Sequence, residues 1–172
     1  MRLLSVLFVF ASFIFAKSPI PIAYVDDESF GGLWYEIART YNSYEEDCFA
    51  ASVEYTKTDN LEYRVKNRCF DTTIDGDLIE FNGTAESLME EGVSEIALTY
   101  FWIFTTEYKI VYLEDDYSTA VMVDEDMEYV WIMNRTPFMQ KEKLDKIVSF
   151  LSDYMDTTRL IYTPQDKEGR YK

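Results

Sequence analysis

The octapeptide Gly32-Leu33-Trp34-Tyr35-Glu36-Ile37-Ala38-Arg39 narrows the folds open to this chain more than any other stretch. Read as a strand, it sends Trp34, Glu36 and Ala38 to one face and Tyr35, Ile37 and Arg39 to the other, and both faces are largely apolar. A strand wetted on neither face lies inside a packed structure. Two glycines stand just before the indole. That pattern suits a large ring plugging the end of a barrel where the backbone must pass close by.

Downstream, strands and turns alternate with little helix. Asp26 to Phe30 reads as one short helical turn before the first strand. Cys48 to Lys57 and Leu61 to Cys69 alternate about the turn Thr58-Asp59-Asn60 and predict a hairpin. In it Ala51, Val53 and Tyr55 face the same way as Leu61, Tyr63 and Val65. Leu78 to Glu86 follows, with Phe81, Gly83 and Ala85 as its inward set. Val93 to Phe101 and Glu107 to Leu113 form the next pair, joined by the aromatic segment Trp102 to Thr106. Ser118 to Val123 and Glu128 to Asn134 complete eight strands joined by short turns. Such a run predicts an all-β fold, an eight-stranded antiparallel up-and-down β-barrel, because closure removes the exposed edges of a meander. Thr136 and Pro137 read as the cap and first turn of a helix reaching about Tyr154. Its single stripe of Leu144, Ile147, Val148, Leu151 and Met155 predicts packing on the outside of the barrel. A short strand at 159–163 and a polar tail close the chain.

Composition removes several functions. The chain of 172 residues carries 16 basic and 32 acidic side chains, a formal charge of −16. Phosphate binding needs clustered Lys and Arg, so nucleic acid is not an expected partner, and anionic membrane surfaces repel the chain too. There is no histidine, which removes the commonest general base, the usual catalytic triads and most zinc sites. No metal and no cofactor are expected. The acidic runs Asp124-Glu125-Asp126 and Asp71, Asp75, Asp77 lack the spacing and glycine placement of a calcium loop and read as solvated turns.

Arg2, the apolar run from Leu3 to Phe15 and the small residue Ala16 read as an export signal cleaved after Ala16, leaving one domain over residues 17–172. Thirteen apolar residues fall short of the ~20 needed to span a bilayer, and no cysteine follows to accept a lipid. The expected protein is therefore exported, periplasmic or secreted, soluble and not lipid-anchored. Cys48 and Cys69 are spaced to staple a hairpin in an oxidising compartment. Asn82-Gly83-Thr84 and Asn134-Arg135-Thr136 are glycosylation sequons, meaningful only in a eukaryotic secretory host.

In a meander every second turn lies at the same end, so topology brings Trp34, the turn Glu114 to Tyr117 and Arg135 together. A guanidinium over an indole is a favourable pair, and that end reads as closed. Gly32 and Trp34, then Asp116-Tyr117, then Arg135 within Trp131-Ile132-Met133-Asn134-Arg135-Thr136-Pro137, resemble the three successive motifs of the lipocalins. The cysteine positions and Val65-Lys66-Asn67-Arg68-Cys69 resemble the branch that contains the bacterial lipocalins and apolipoprotein D. The resemblance covers about residues 26 to 163 and implies a calyx that binds a small hydrophobic ligand, often a lipid, without chemistry. It gives Gly32, Trp34, Asp116, Tyr117 and Arg135 a structural role.

The residues expected to line the calyx are Glu36, Ala38, Val53, Tyr55, Tyr63, Val65, Phe81, Leu98, Tyr100, Tyr108, Ile110, Tyr112 and Trp131, with Tyr129 beside them. Aromatic walls bearing hydroxyls suit an amphiphile such as a lysophospholipid. The bland alternative is that these rings fill the barrel. Glu36, a carboxylate inside the barrel, is either a hook for a polar head or amine, or a group satisfied by neighbouring tyrosines or water. Three functions compete. A carrier of a small hydrophobic or amphipathic ligand, with membrane lipid as one source of it, as monomer or dimer, is the first. The others are a protein-interaction module with a filled barrel, and an enzyme limited to Glu36 with a tyrosine.

Overall fold

Strand β1, Gly32–Arg39, closes the barrel because both of its edges are used: it pairs antiparallel with β2, Cys48–Asp59, and with β8, Val130–Asn134. In the computed structural model, which describes residues 18–170, the strands between follow in simple succession. They are β3 (Glu62–Asp71), β4 (Leu78–Ser87), β5 (Glu95–Tyr100), β6 (Phe104–Leu113) and β7 (Thr119–Val123). Each pairs antiparallel with its neighbour, so every second connection lies at the same end. The short helix α1, Asp27–Phe30, is capped by the Asp26 carboxylate accepting from Ser29 N. The expected export signal lies outside the described residues.

The short strand expected at 159–163 forms and joins the barrel wall. The β1–β2 ladder ends at Tyr35 opposite Ser52, and the chain after the helix enters the opening. Strand β9, Ile161–Tyr162, pairs with Ala38 and Arg39. Gln165 Nε2 donates to the carbonyls of Glu36 and Ala51, tying β1 to β2 where they part.

Helix α2 spans Lys141–Leu151 and starts later than Thr136 and Pro137 predict. The cause is Asn134, whose Nδ2 donates to the carbonyls of Thr136 and Phe138 and to Thr136 Oγ1, holding that segment in a loop. These bonds also occupy and bury the Asn134 sequon amide. The predicted stripe packs as expected: Ile147, Leu151 and Met155 join Ile37, Val111, Val121, Val123 and Ile132 in a core outside the barrel wall. Burying each such side chain contributes roughly 1.5–3 kcal/mol.

The second core fills the closed half of the lumen, where Trp34 stacks among Phe30, Tyr55, Tyr63, Val65, Ile96 and Ile110. The Arg135 guanidinium sits 3.6 Å from the centroid of the Trp34 ring. Its nitrogens donate to the carbonyls of Leu33, Ser29, Phe30, Gly31 and Tyr117 at 2.8–3.3 Å. Gly32, at φ +90°, begins β1 in a conformation that other residues rarely adopt. The Trp34 indole N–H donates to Phe30 O at 2.9 Å. The hydroxyl of Tyr117 accepts from Asp26 N at 2.9 Å, and the Asp116 carboxylate accepts from Ser118 N at 2.9 Å, shaping that turn.

Candidate functional site

Above this plug the barrel is open. A cavity of about 290 Å³ occupies the other half of the lumen. It is bounded by β strands and by the β1–β2 connection, residues 40–47, which folds inward over it. Glu36, Val53, Tyr55, Phe81, Leu98, Tyr100, Tyr108, Tyr129 and Trp131 lie on its wall, as the strand alternation placed them. Tyr63, Val65 and Ile110 face the lumen in the filled half instead, packed with Trp34.

Two expected lining residues require correction. Ala38 and Tyr112 belong to the core under the outer helix, and Tyr112 packs at a tilt against Phe150 with ring centroids 6.2 Å apart. Register shifts between Glu36 and Ala38 on β1 and between Ile110 and Tyr112 on β6 are the reason. Each bulge adds one residue and exchanges the faces beyond it. A third, between Phe49 and Ser52 on β2, turns Ala51 away from the lumen to pack on the Cys48–Cys69 disulfide. Those cysteines are bonded, with Cα atoms 5.2 Å apart, at the open end.

The bulge on β1 also brings in a residue that alternation had sent outward. Arg39 is buried with Glu36, its Nε 3.4 Å from Glu36 Oε1 and 3.6 Å from Glu45 Oε2. Its Nη2 donates to the carbonyl of Glu45, while Nη1 has no hydrogen-bond partner among the described residues. Glu45 lies on the folded-in connection. Its carboxylate accepts from the Asn42 amide and, at 3.3 Å, from the Trp131 indole N–H. Asn42 Oδ1 in turn accepts from Tyr44 N and Glu45 N at 3.1 and 3.0 Å, which holds the connection in its turn. Asn42, Ser43, Tyr44 and Glu45 all line the cavity. The short polar run gave no periodicity to reveal this, and only Asn42, a residue that favours such turns, was a local signal.

Burial pushes the Glu36 carboxyl well above the usual carboxylate range, and the nearby Glu45 charge adds to it, against Arg39 and a hydrogen bond donated by the Thr163 hydroxyl. The balance favours the protonated form of Glu36, which is partnered by the C-terminal segment and Arg39 rather than by tyrosines. The phenols of Tyr55 and Tyr100 are pushed up by burial, and that of Tyr108 to about 12. Asn67 Nδ2 donates to the Tyr100 hydroxyl at 2.6 Å. Trp131 meets Tyr108 edge-on at 5.3 Å and stacks with Tyr129 at 6.1 Å. The wall is therefore aromatic, with hydroxyl, amide and carboxyl groups spaced along it. Among the described residues, no group of three or more His, Cys, Asp or Glu is placed to hold a metal ion.

A family model described as a lipocalin-like domain matches residues 25–165. The outer membrane lipoprotein Blc of Vibrio cholerae is 28% identical over 151 residues, covering 87% of this chain and 88% of its own. Bovine apolipoprotein D is 25% identical over 142 residues, covering 78% and 71%. Among solved structures, lobster apocrustacyanin A1 superimposes with a TM-score of 0.63 at 25% identity, covering 81% of this chain and 79% of that one. Insecticyanin from the tobacco hornworm Manduca sexta gives 0.71 at 18% identity, over 90% and 89%, and supports the fold alone.

Proposed function

Because this chain belongs to the lipocalin-like family, we propose that it binds and carries a small hydrophobic or amphipathic molecule in its open half-barrel, without transforming it. The observation that carries this reading is the division of the lumen: a base sealed by Trp34 and Arg135, and above it a cavity of about 290 Å³ lined by aromatic rings and a few polar groups. That volume sits at the lower end of the range of roughly 300–1,000 Å³ for small-molecule sites. It suits a single-chain amphiphile, such as a lysophospholipid, better than a two-chain lipid. Residues 1–16 act in this reading as a cleaved signal, and residues 17–172 work outside the cytoplasm, periplasmic or secreted, unanchored, as a monomer or dimer.

An enzymatic role is the poorer reading. The available acid–base pair would be Glu36 with a tyrosine. Glu36 is tied to Thr163 and Arg39, and the phenols around it are raised too far to act as bases at neutral pH. Native mass spectrometry of protein purified from its own host tests the proposal. A retained small-molecule adduct, displaced by a fluorescent lipid analogue, is the expected result. Absence of an adduct together with failure to bind the analogue overturns it.

A further inference from the structure

From Ile96 to Thr106 the chain carries no charged residue, although charged side chains make up 28% of the sequence. The middle of this segment is the β5–β6 turn at the open end. There Trp102 is 96% exposed and Ile103 74%, flanked by Phe101 and Phe104, each more than half exposed. Scattered exposed apolar residues need no explanation, but four in succession at one tip do. The backbone adds a second observation. Phe101 and Trp102 hold φ of 51° and 63°, and Ile103 N donates to Tyr100 O at 3.3 Å. Positive φ at both central positions is the tight-turn geometry that Asn-Gly adopts without strain. Bulky aromatic residues occupy it only against a steric cost. Asn-Gly there would relieve both the strain and the exposure, so the aromatic tip points to a use.

The tip is also continuous with the cavity. Phe101 and Phe104 are both exposed outside and part of the cavity wall, and Phe101 meets Phe81 edge-on at 6.5 Å. We propose that the β5–β6 turn docks the open end on a zwitterionic lipid surface, with Trp102 and Ile103 in the interface and Phe101 and Phe104 forming the way in. The proposal rests on the amphiphile reading above and names where that ligand is collected. An indole is the side chain most at home in a bilayer interface. The neighbouring rim connections carry Glu45, Glu46, Asp47, Asp124, Glu125 and Asp126. An anionic surface would be repelled by them, and a second copy of this chain would bring two such rims together. A zwitterionic bilayer meets neither obstacle.

The test compares the protein with its Trp102→Ser, Ile103→Ser double variant. Neither residue lines the cavity. Sedimentation is measured with sucrose-loaded phosphatidylcholine vesicles, alone or mixed with phosphatidylglycerol. Uptake of a fluorescent lysophosphatidylcholine is followed from vesicles and, separately, from monomeric solution. The unmodified protein should sediment with phosphatidylcholine, less with the mixture, and show a blue shift of indole emission, since Trp34 and Trp131 are not exposed. The variant should lose sedimentation and take up probe from vesicles roughly tenfold more slowly, as expected for two lost interfacial side chains, while keeping its affinity for monomeric probe. Unchanged sedimentation of the variant, no docking by the unmodified protein, or loss of a dimer in place of loss of docking would each overturn the proposal. If both proteins fail to bind monomeric probe while docking persists and depends on Trp102 and Ile103, the amphiphile reading falls and the docking surface stands.

Discussion

Two arginines, one at each end of the barrel, Arg39 buried and Arg135 partly buried, are satisfied by different chemistry. Arg135 at the closed end stacks on Trp34 and donates to neutral backbone carbonyls held by α1, β1 and the β6–β7 turn. Arg39 at the open end faces two carboxylates, one of them on a connection between strands, and leaves Nη1 without a hydrogen-bond partner. Burial lowers the Arg135 pKa only to about 10, so its guanidinium stays charged through neutrality. Around Arg39, by contrast, Glu36 titrates above its ordinary range and Glu45 lies on a segment that covers the cavity. Neutral, backbone-based satisfaction makes a plug. Ionisable, side-chain-based satisfaction makes a site that responds to what enters it.

The largest expected effect breaks the plug. Trp34→Ala should destabilise by roughly 3–5 kcal/mol, as a fully buried large aromatic leaves both lost contacts and a cavity. Arg135→Ala should cost roughly 2–3 kcal/mol, since carbonyls that accepted charge-assisted bonds lose their donor. Urea midpoints measure both. A change in either variant no greater than that of an exposed charge would mean that the closed end is not the stabilising one.

Reduction of Cys48–Cys69 acts at the opposite rim. With a sequence separation of 21 residues, the loop-entropy model gives about 3 kcal/mol. The expected result is a lower melting temperature in reductant, and no free thiol in denatured, unreduced protein. Two titratable thiols in that material would remove the staple from the open end.

A pH series sharpens the contrast. Unfolded, Glu36 titrates near the ordinary carboxyl value of about 4.3, and in the fold it titrates well above that. The folded state therefore holds the proton more tightly. The stability this contributes is complete below the unfolded pKa and is lost as pH rises toward the folded one, with a limiting slope of about 1.4 kcal/mol per pH unit for one proton. Glu36→Gln mimics the protonated acid and can still accept from Thr163, so its stability should fall less steeply with rising pH than that of the unmodified protein. Parallel curves would show that Glu36 is ionised in the fold.

What could be read in the sequence followed from periodicity and topology. Alternation identified eight strands, their succession implied closure, and the meander alone brought Trp34, Tyr117 and Arg135 to one end. Part of the site escaped for one physical reason. A bulge inserts a residue without any compositional mark, so Ala38 and Arg39 exchanged faces, as did Tyr112, while the strands on either side still looked regular. Glu45 and Asn42 escaped for another: a connection has no period, and its inward fold is set by hydrogen bonds that only the folded chain reveals. The late start of α2 follows the same rule, because the Asn134 side chain overrides the signals of Thr136 and Pro137.

The smallest expected effect concerns the ligand head group, and Arg39 makes it sharper. The basic side chains nearest the open rim are already paired: Arg68 with Glu54 at 2.5 Å, Lys109 with Glu125 at 2.7 Å and Arg170 with Asp75 at 3.1 Å. Among the described residues, Arg39 is the one guanidinium behind the cavity wall, and Glu36 and Glu45 stand between it and the lumen. A fatty acid must carry its carboxylate past Asp124, Glu125 and Asp126, where like charges repel within a Debye length of ~8 Å at physiological salt. A lysophospholipid or monoacylglycerol of equal chain length avoids most of that penalty and gains the same acyl burial, about 0.8 kcal/mol per CH₂. The preference should be about 1 kcal/mol, roughly fivefold, at low ionic strength, and should shrink as salt is added. Competitive displacement of a fluorescent lipid at two salt concentrations measures it. Tighter fatty-acid binding at low salt would mean that the ligand carboxylate displaces Glu45 from Arg39. In that event Arg39→Met should abolish the fatty-acid preference and leave binding of the neutral lipid in place.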